Sequence, residues 1–246
     1  MSTLLQTRGL TLAFGGLVVA DAIDFELQEG ERLAVIGQNG AGKTTFINIC
    51  TGLLRPNAGK VEFAGNDITG HSPRSIVRRG MARSFQLPQL FLEHTVRECL
   101  ELAVVARKAN LSLWQSLAGA GNAADVDRML DLISLRERQH ELCINLPEGH
   151  RKLLDVGMSL MLEPRLLILD EPTSGVSTEE KHEVMEILMR ALDEQKVTAI
   201  FVEHDVDIVK RYATRVAAWI SGAIAADGKP GEVLADPVVK REVLGL

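Results

Sequence analysis

Cysteine is scarce in this sequence: Cys50, Cys99 and Cys143 are widely separated and form no CxxC pair. Three such thiols leave one unmatched, so neither a disulfide framework nor a zinc site is expected, and small buried residues in a reducing compartment are. Long apolar runs are missing too. No stretch reaches the roughly 20 residues needed to cross a bilayer, and the opening MSTLLQTRGL lacks the cationic start and apolar core of a signal peptide. The chain is therefore expected to stay in the cytoplasm and to meet any membrane through a partner. Positive charge is in deficit, with 27 Lys and Arg against 33 Asp and Glu and a formal net charge of −6. Coating a nucleic acid needs a basic surface that displaces counterions, so DNA or RNA is disfavoured as the main ligand. Internal repeats and low-complexity tracts are absent as well.

What is present suits a folded α/β chain: 246 residues with 46% hydrophobic content, enough for one large domain carrying an insertion. From Leu4 to Glu29, alternations such as Leu10, Leu12, Phe14 and Ile23, Phe25, Leu27 predict strands with one face on a core. Arg32 to Gly37 reads as a compact strand that breaks into a glycine-rich turn, followed by a helix over Lys43 to Leu54. Between about Thr95 and Glu141 the period becomes helical, with Val96, Leu100, Val104 and Val126, Leu130, Ile133 spaced for buried faces. Ala118 to Ala124, rich in Gly and Ala, predicts a loop within this helical insertion. Beyond Arg165 come an apolar strand, a helix (Glu179 to Leu192), a strand (Thr198 to Val202), a helix (Val206 to Tyr212) and a last strand pair. That order suits a mostly parallel sheet covered by helices.

Gly37-Gln38-Asn39-Gly40-Ala41-Gly42-Lys43-Thr44 matches the phosphate-loop pattern in its required place between strand and helix. Its glycines let backbone N–H groups converge on a polyphosphate, and the helix N-terminus adds positive field. Lys43 is expected to reach the β- and γ-phosphates and the Thr44 hydroxyl to ligate Mg²⁺, with Thr45 beside it in the nucleotide site. Leu166-Leu-Ile-Leu-Asp170-Glu171 is an apolar strand that delivers carboxylates at its C-terminal end. Asp170 suits the Mg²⁺ shell and Glu171 the orientation of an attacking water. Taken alone, the same pair suits the capping of the following Pro172–Ser174 turn equally well.

With these motifs in order, and Glu203-His204-Asp205 after an apolar strand, the sequence resembles the ABC ATPase family across nearly its whole length. The resemblance implies a RecA-like core with an N-terminal antiparallel β subdomain and a helical subdomain. The expected bounds are 1–85 and 160–246 for the core with its β subdomain and about 90–155 for the helical part. It also implies two such domains sandwiching two ATP molecules. By resemblance, Gln86 in Arg83-Ser-Phe-Gln86 belongs to the glutamine loop that approaches Mg²⁺ and water, and His204 is the switch histidine at the γ-phosphate. Phe14 is the counterpart of the aromatic that stacks on adenine, with a core phenylalanine as the competing reading. Ser174 to Ser177 matches the loop that speaks to the opposite subunit, with Ser177 in place of the usual Asp.

The family signature, commonly LSGGQ, here reads Leu146-Pro147-Glu148-Gly149-His150. Pro147 supplies neither a hydroxyl nor a backbone N–H, and Glu148 adds negative charge where phosphate oxygens would sit. Gly149 survives, and a helix from His150 to Met161 is expected to aim its N-terminus at the nucleotide. A purely local reading stands beside this one: Asn145 caps the helix, Pro147 sits in its first turn and Glu148 closes a capping-box-like pair.

Within the family the sequence is similar to the ATPases of branched-chain amino-acid, urea and amide importers. Phe14-Gly-Gly-Leu17, the Arg83–Gln86 run with Leu90-Phe91, Asn145-Leu146, and the tail Gly231 to Pro237 ending at Leu246 carry that likeness. It implies ATP and Mg²⁺ as cofactors, permease subunits as partners, an extracytoplasmic solute-binding protein as an indirect partner, and a peripheral position on the cytoplasmic face of the cell membrane. A second, different ATPase subunit is expected, because a heterodimer spoils only one of two sites with Pro147 and Glu148; a homodimer is the alternative. Two competing functions are a soluble, non-transport ABC ATPase and a small-molecule kinase. Coiled arms or tandem cassettes would mark the first, and neither is read here; the second would need a substrate lid and has no reason for the series Gln86, Gly149 and His204.

Overall fold

The computed structural model describes residues 2–107 and 123–246, so all but the last two residues of the expected 118–124 loop lie outside the described residues. Two compact units divide the chain: one contains the sequence up to Met81 together with Thr198–Leu246, the other Ala82–Val197.

The first unit begins with the long strands β1 (Thr3–Phe14) and β2 (Leu17–Gln28), joined in an antiparallel hairpin through Gly15 and Gly16. Their inward positions Leu10, Leu12, Ile23, Phe25 and Leu27 are buried, while Asp24 and Glu26 on the other face are exposed. The alternation read from the sequence is thus the pleat of a half-buried sheet. Strand β3 (Arg32–Gly37) leads into α1 (Lys43–Cys50), and β4 (Ala58–Phe63) and β5 (Asn66–Asp67) extend the antiparallel sheet in the order β2-β1-β4-β5. The expected α1 is shorter than its apolar pattern suggests. Gly52 at φ +76 turns the chain out of the helix, and a Cβ there would lie 2.2 Å from the His71 carbonyl. A short helix, α2 (Pro73–Val77), closes this part.

In the second unit, β6 (Met81–Ser84) and β7 (Leu166–Asp170) are neighbouring strands. Between them run α3 (Val96–Arg107), α4 (Ala123–Leu132) and α5 (Glu148–Leu160), and α6 (Thr178–Gln195) follows β7. Val96, Leu100 and Val104 of α3 face the interior, as do Val126 and Leu130 of α4 and Ile133 just beyond it; each is fully buried. The 3.6-residue period therefore identified the buried stripe correctly.

The chain returns to the first unit with β8 (Thr198–Val202), α7 (Val206–Tyr212), β9 (Arg215–Ile220) and β10 (Ala223–Gly228), then the short C-terminal helices α8 (Pro230–Val233) and α9 (Pro237–Val239). Strand β3 lies between β8 and β9 and is parallel to both, and β10 pairs antiparallel with β9. Leu33–Gly37 and all of β8 are buried, the mark of parallel strands covered on two faces. The fold is a P-loop α/β core with an antiparallel β sheet and a helical portion.

Candidate functional site

Strand β3 positions the phosphate loop because its last residue tolerates no side chain. A Cβ on Gly37 would stand 2.6 Å from the Trp219 carbonyl of β9, so only glycine lets the two strands approach so closely. Beneath the loop, Phe46 of α1 packs edge-on against Phe25 at 5.2 Å and tilted against Trp219 at 5.1 Å, which anchors the helix to the sheets. Gln38, Asn39, Gly40 and Thr44 are exposed, Thr45 is half-buried, and Ala41, Gly42 and Lys43 are buried. The Lys43 ammonium donates to the carbonyls of Gly37 at 2.6 Å and Gln38 at 3.0 Å, so its charge is held inside the turn. Gly42 is the N-cap of α1, and no side chain caps that end. Its first-turn N–H groups and dipole are therefore presented to an anion.

Also in the first unit, Glu203 and His204 follow β8. Glu203 is buried and accepts from the His204 backbone N–H at 3.2 Å, while the His204 side chain is exposed. Asp205 caps α7 by accepting from the N–H groups of Asp207 and Ile208. Phe14, at the hairpin end of β1, is 52% exposed, which rules out the core reading and leaves its ring open to a planar partner.

The second unit contains the carboxylates. Asp170 ends β7 and accepts from the Arg83 guanidinium at 2.6 Å. Glu171 adopts φ +49, a left-handed backbone that costs a non-glycine residue about 1–3 kcal/mol. Its carboxylate accepts from Gln86 Nε2 at 2.6 Å, and its carbonyl accepts from the Ser174 N–H at 3.1 Å. The residues proposed from sequence for the glutamine loop and for water activation are thus in direct contact. Arg83 belongs to the buried pair with Asp170.

At the signature segment the local reading fails. Asn145 closes a 3-10 turn, Cys143–Asn145, and is not the helix cap; Pro147 takes that position with no side-chain hydrogen bond. Glu148 lies in the first turn of α5, without a capping-box partner. Gly149 packs α5 against α6, where a Cβ would sit 3.2 Å from Val184 Cγ2. Ser177 acts locally, since its side chain caps α6, accepting from the Glu180 N–H and donating to the Glu180 carboxylate at 3.0 Å. Sequence reading missed two buried charges of α5, Lys152 and Asp155, since nothing in their spacing names a partner.

These residues fit a nucleoside triphosphate and Mg²⁺. The glycine turn offers N–H groups and a held ammonium for phosphate, and Thr44 in the first unit and Asp170 in the second each carry a hard oxygen of the kind Mg²⁺ takes alongside phosphates. Among the described residues no cluster of three or more His, Cys, Asp or Glu side chains is arranged to hold a metal by itself. The lysine-bearing glycine turn that ends a parallel strand of the first unit, and the paired carboxylates that end a strand of the second, are each features of a phosphate-loop ATPase.

The chain belongs to the ABC transporter family, whose sequence profile matches residues 20–174. It is 34% identical to a "Probable branched-chain amino acid transport ATP-binding protein LivG" of Archaeoglobus fulgidus, over 98% of this chain and 95% of that protein. It is 31% identical to the high-affinity branched-chain amino acid transport ATP-binding protein BraF of Pseudomonas aeruginosa, over 98% of both. Among solved structures, the ADP conformation of MJ1267, an ATP-binding cassette of an ABC transporter, matches with TM-score 0.83 at 27% identity over the whole of both chains.

Proposed function

We propose that this chain hydrolyses ATP to drive an importer for branched-chain amino acids or related small polar solutes, from a peripheral position on the cytoplasmic face of the membrane. The observation that carries the reading is the likeness to transport ATP-binding proteins along 98% of the chain. No helix among the described residues is long and apolar enough to cross a membrane, so the channel is assigned to permease partners. Support for docking comes from Phe85, Leu87, Phe91 and Leu92, which are 40, 73, 50 and 43% exposed around the Gln86 loop. Such a run of exposed apolar side chains marks an interaction surface.

In this mechanism Phe14 stacks on adenine, the N–H groups of residues 37–45 bind phosphate oxygens, and Lys43 neutralises the β- and γ-phosphates. Thr44 and Asp170, with Gln86, would hold Mg²⁺, which would neutralise charge on the phosphate oxygens. Glu171 hydrogen-bonds the attacking water and takes up its proton as the bond from terminal phosphorus to bridging oxygen breaks, giving ADP and phosphate. His204 contacts the γ-phosphate. Gly149 of a second ATPase subunit completes the site, and a different subunit is favoured because Pro147 and Glu148 impair this chain's own signature.

Replacing Glu171 by Gln tests the mechanism. Nucleotide affinity should change by less than about threefold while turnover falls by about two orders of magnitude or more, since only the transition state loses an interaction. Equal turnover would remove Glu171 from the reaction. Recovery of a multi-span permease with the tagged chain tests the transport assignment.

A further inference from the structure

Helix α5 carries two buried charges, Lys152 and Asp155, only 4% and 7% exposed and one turn apart. Charges are rarely buried without dedicated partners, and these two share a target. The Lys152 ammonium donates to the main-chain carbonyls of Gln86 and of Glu171, each at 3.0 Å. Asp155 accepts from the Ser84 hydroxyl at 2.5 Å and from the backbone N–H groups of Gln89 and Phe85. One helix therefore holds the 84–89 loop by its donors and its acceptors, and holds the backbone of Glu171 as well. Glu171 is the residue whose φ of +49 needs outside support, and its side chain meets Gln86 Nε2.

We propose that Lys152 is a positioning residue for ATP hydrolysis, fixing the left-handed turn of Glu171 and the Gln86 loop together through their two carbonyls. The proposal rests on the assignment of Glu171 to the attacking water. A lysine suits this role because its three N–H donors sit on a narrow stem and serve two acceptors at once. Remove the ammonium, and Glu171 relaxes toward a right-handed backbone that swings its carboxylate off the Gln86 amide. Because α5 begins at Glu148-Gly149, about one turn before Lys152, any shift of the signature segment is passed along a rigid helix to the water-orienting residue.

The test compares single-turnover ATP hydrolysis and nucleotide affinity in the purified assembly of this chain with its second ATPase subunit and permeases, for wild type, Lys152→Met, Lys152→Arg and Glu171→Gln. Lys152→Met matches the stem in length and has no donor, and is expected to slow hydrolysis by about tenfold to a hundredfold, the cost of a misplacement near 1 Å. Nucleotide affinity should stay within about threefold of wild type, and Lys152→Arg should recover part of the rate. In the Glu171→Gln background Lys152→Met should add little further loss, because both act through one group. Wild-type turnover in Lys152→Met, or a loss that multiplies in full on that of Glu171→Gln, overturns the proposal. Should Lys152→Met not fold, Lys152→Gln, whose shorter amide cannot serve both carbonyls, decides: reduced turnover at unchanged affinity supports the link, and wild-type turnover overturns it. Slow Glu171→Gln with fast Lys152→Met defeats the link alone, whereas fast Glu171→Gln defeats the underlying reading of Glu171.

Discussion

The Arg83 guanidinium donates to the Asp170 carboxylate at 2.6 Å, with the two side chains only 7% and 11% exposed. The residues are 87 positions apart in sequence and are brought together by the neighbouring strands β6 and β7. Breaking one half of such a pair strands a charge away from water.

Arg83→Met is therefore expected to lower stability by about 3 kcal/mol or more, the usual consequence of an uncompensated buried carboxylate. Adding Asp170→Asn should recover part of that loss by removing the orphaned charge. Urea unfolding midpoints of the single and double variants check it; purely additive losses would show that the ion pair is energetically idle.

Helix α5 crosses the first helices of its unit at Gly157, where a Cβ would lie 2.7 Å from Ile133 Cδ1 and 3.4 Å from Leu100 Cδ2. Gly157→Ala gains about 1 kcal/mol in helix propensity, but overpacking a dry core costs about 1–3 kcal/mol. A net destabilisation is expected. Ile133→Val deletes the offending methyl, so it should stabilise the Gly157→Ala chain although it costs about 0.5–1.5 kcal/mol in wild type. The reversal of sign is read from thermal or urea unfolding.

His150 gives a pH dependence. Burial holds its imidazole below the ordinary histidine range, Arg138 adds to the effect, and Glu180, Glu183 and Glu141 oppose it. The unfolded chain then binds the proton more tightly than the folded chain. The resulting stability is complete above the unfolded pKa of about 6.5 and is lost as pH falls through it toward the folded value. His150→Gln should show a shallower fall in urea midpoint between about pH 7.5 and about pH 5.5 than wild type. Parallel curves would remove His150 as the source.

All three thiols are buried, and burial raises each of them: Cys50 far above the thiol range, Cys99 to about 12, and Cys143 less strongly. Cys99 and Cys143 lie with their sulfurs 3.4 Å apart. Since the thiolate is the reactive form, the folded chain should resist iodoacetamide near neutral pH while the denatured chain takes up three equivalents, counted by mass spectrometry. Fast labelling of any thiol in the folded chain would contradict this burial.

The phosphate loop was legible in the sequence because its geometry is local. Lys43 bonds carbonyls five and six residues before it, and the glycines and the following helix are contiguous with it. Strand and helix types were legible for the same reason: the two-residue pleat of β1 and β2 and the helical period of α3 and α4 are written along the chain. The local cap at Asn145 was misread because a 3-10 turn already used that residue, a choice decided by the chain before it.

What the sequence by itself determined is therefore which residues face inward and where the glycine turn that carries Lys43 lies. Only the tertiary structure decided partners: Lys152 with Gln86, 66 residues away, and with Glu171, 19 away, Arg83 with Asp170, and Cys99 with Cys143, 44 apart. Periodicity states the face a side chain occupies. The element that meets that face is chosen by the packing of the whole unit, where a buried lysine is tolerated only because two distant carbonyls arrive at its ammonium.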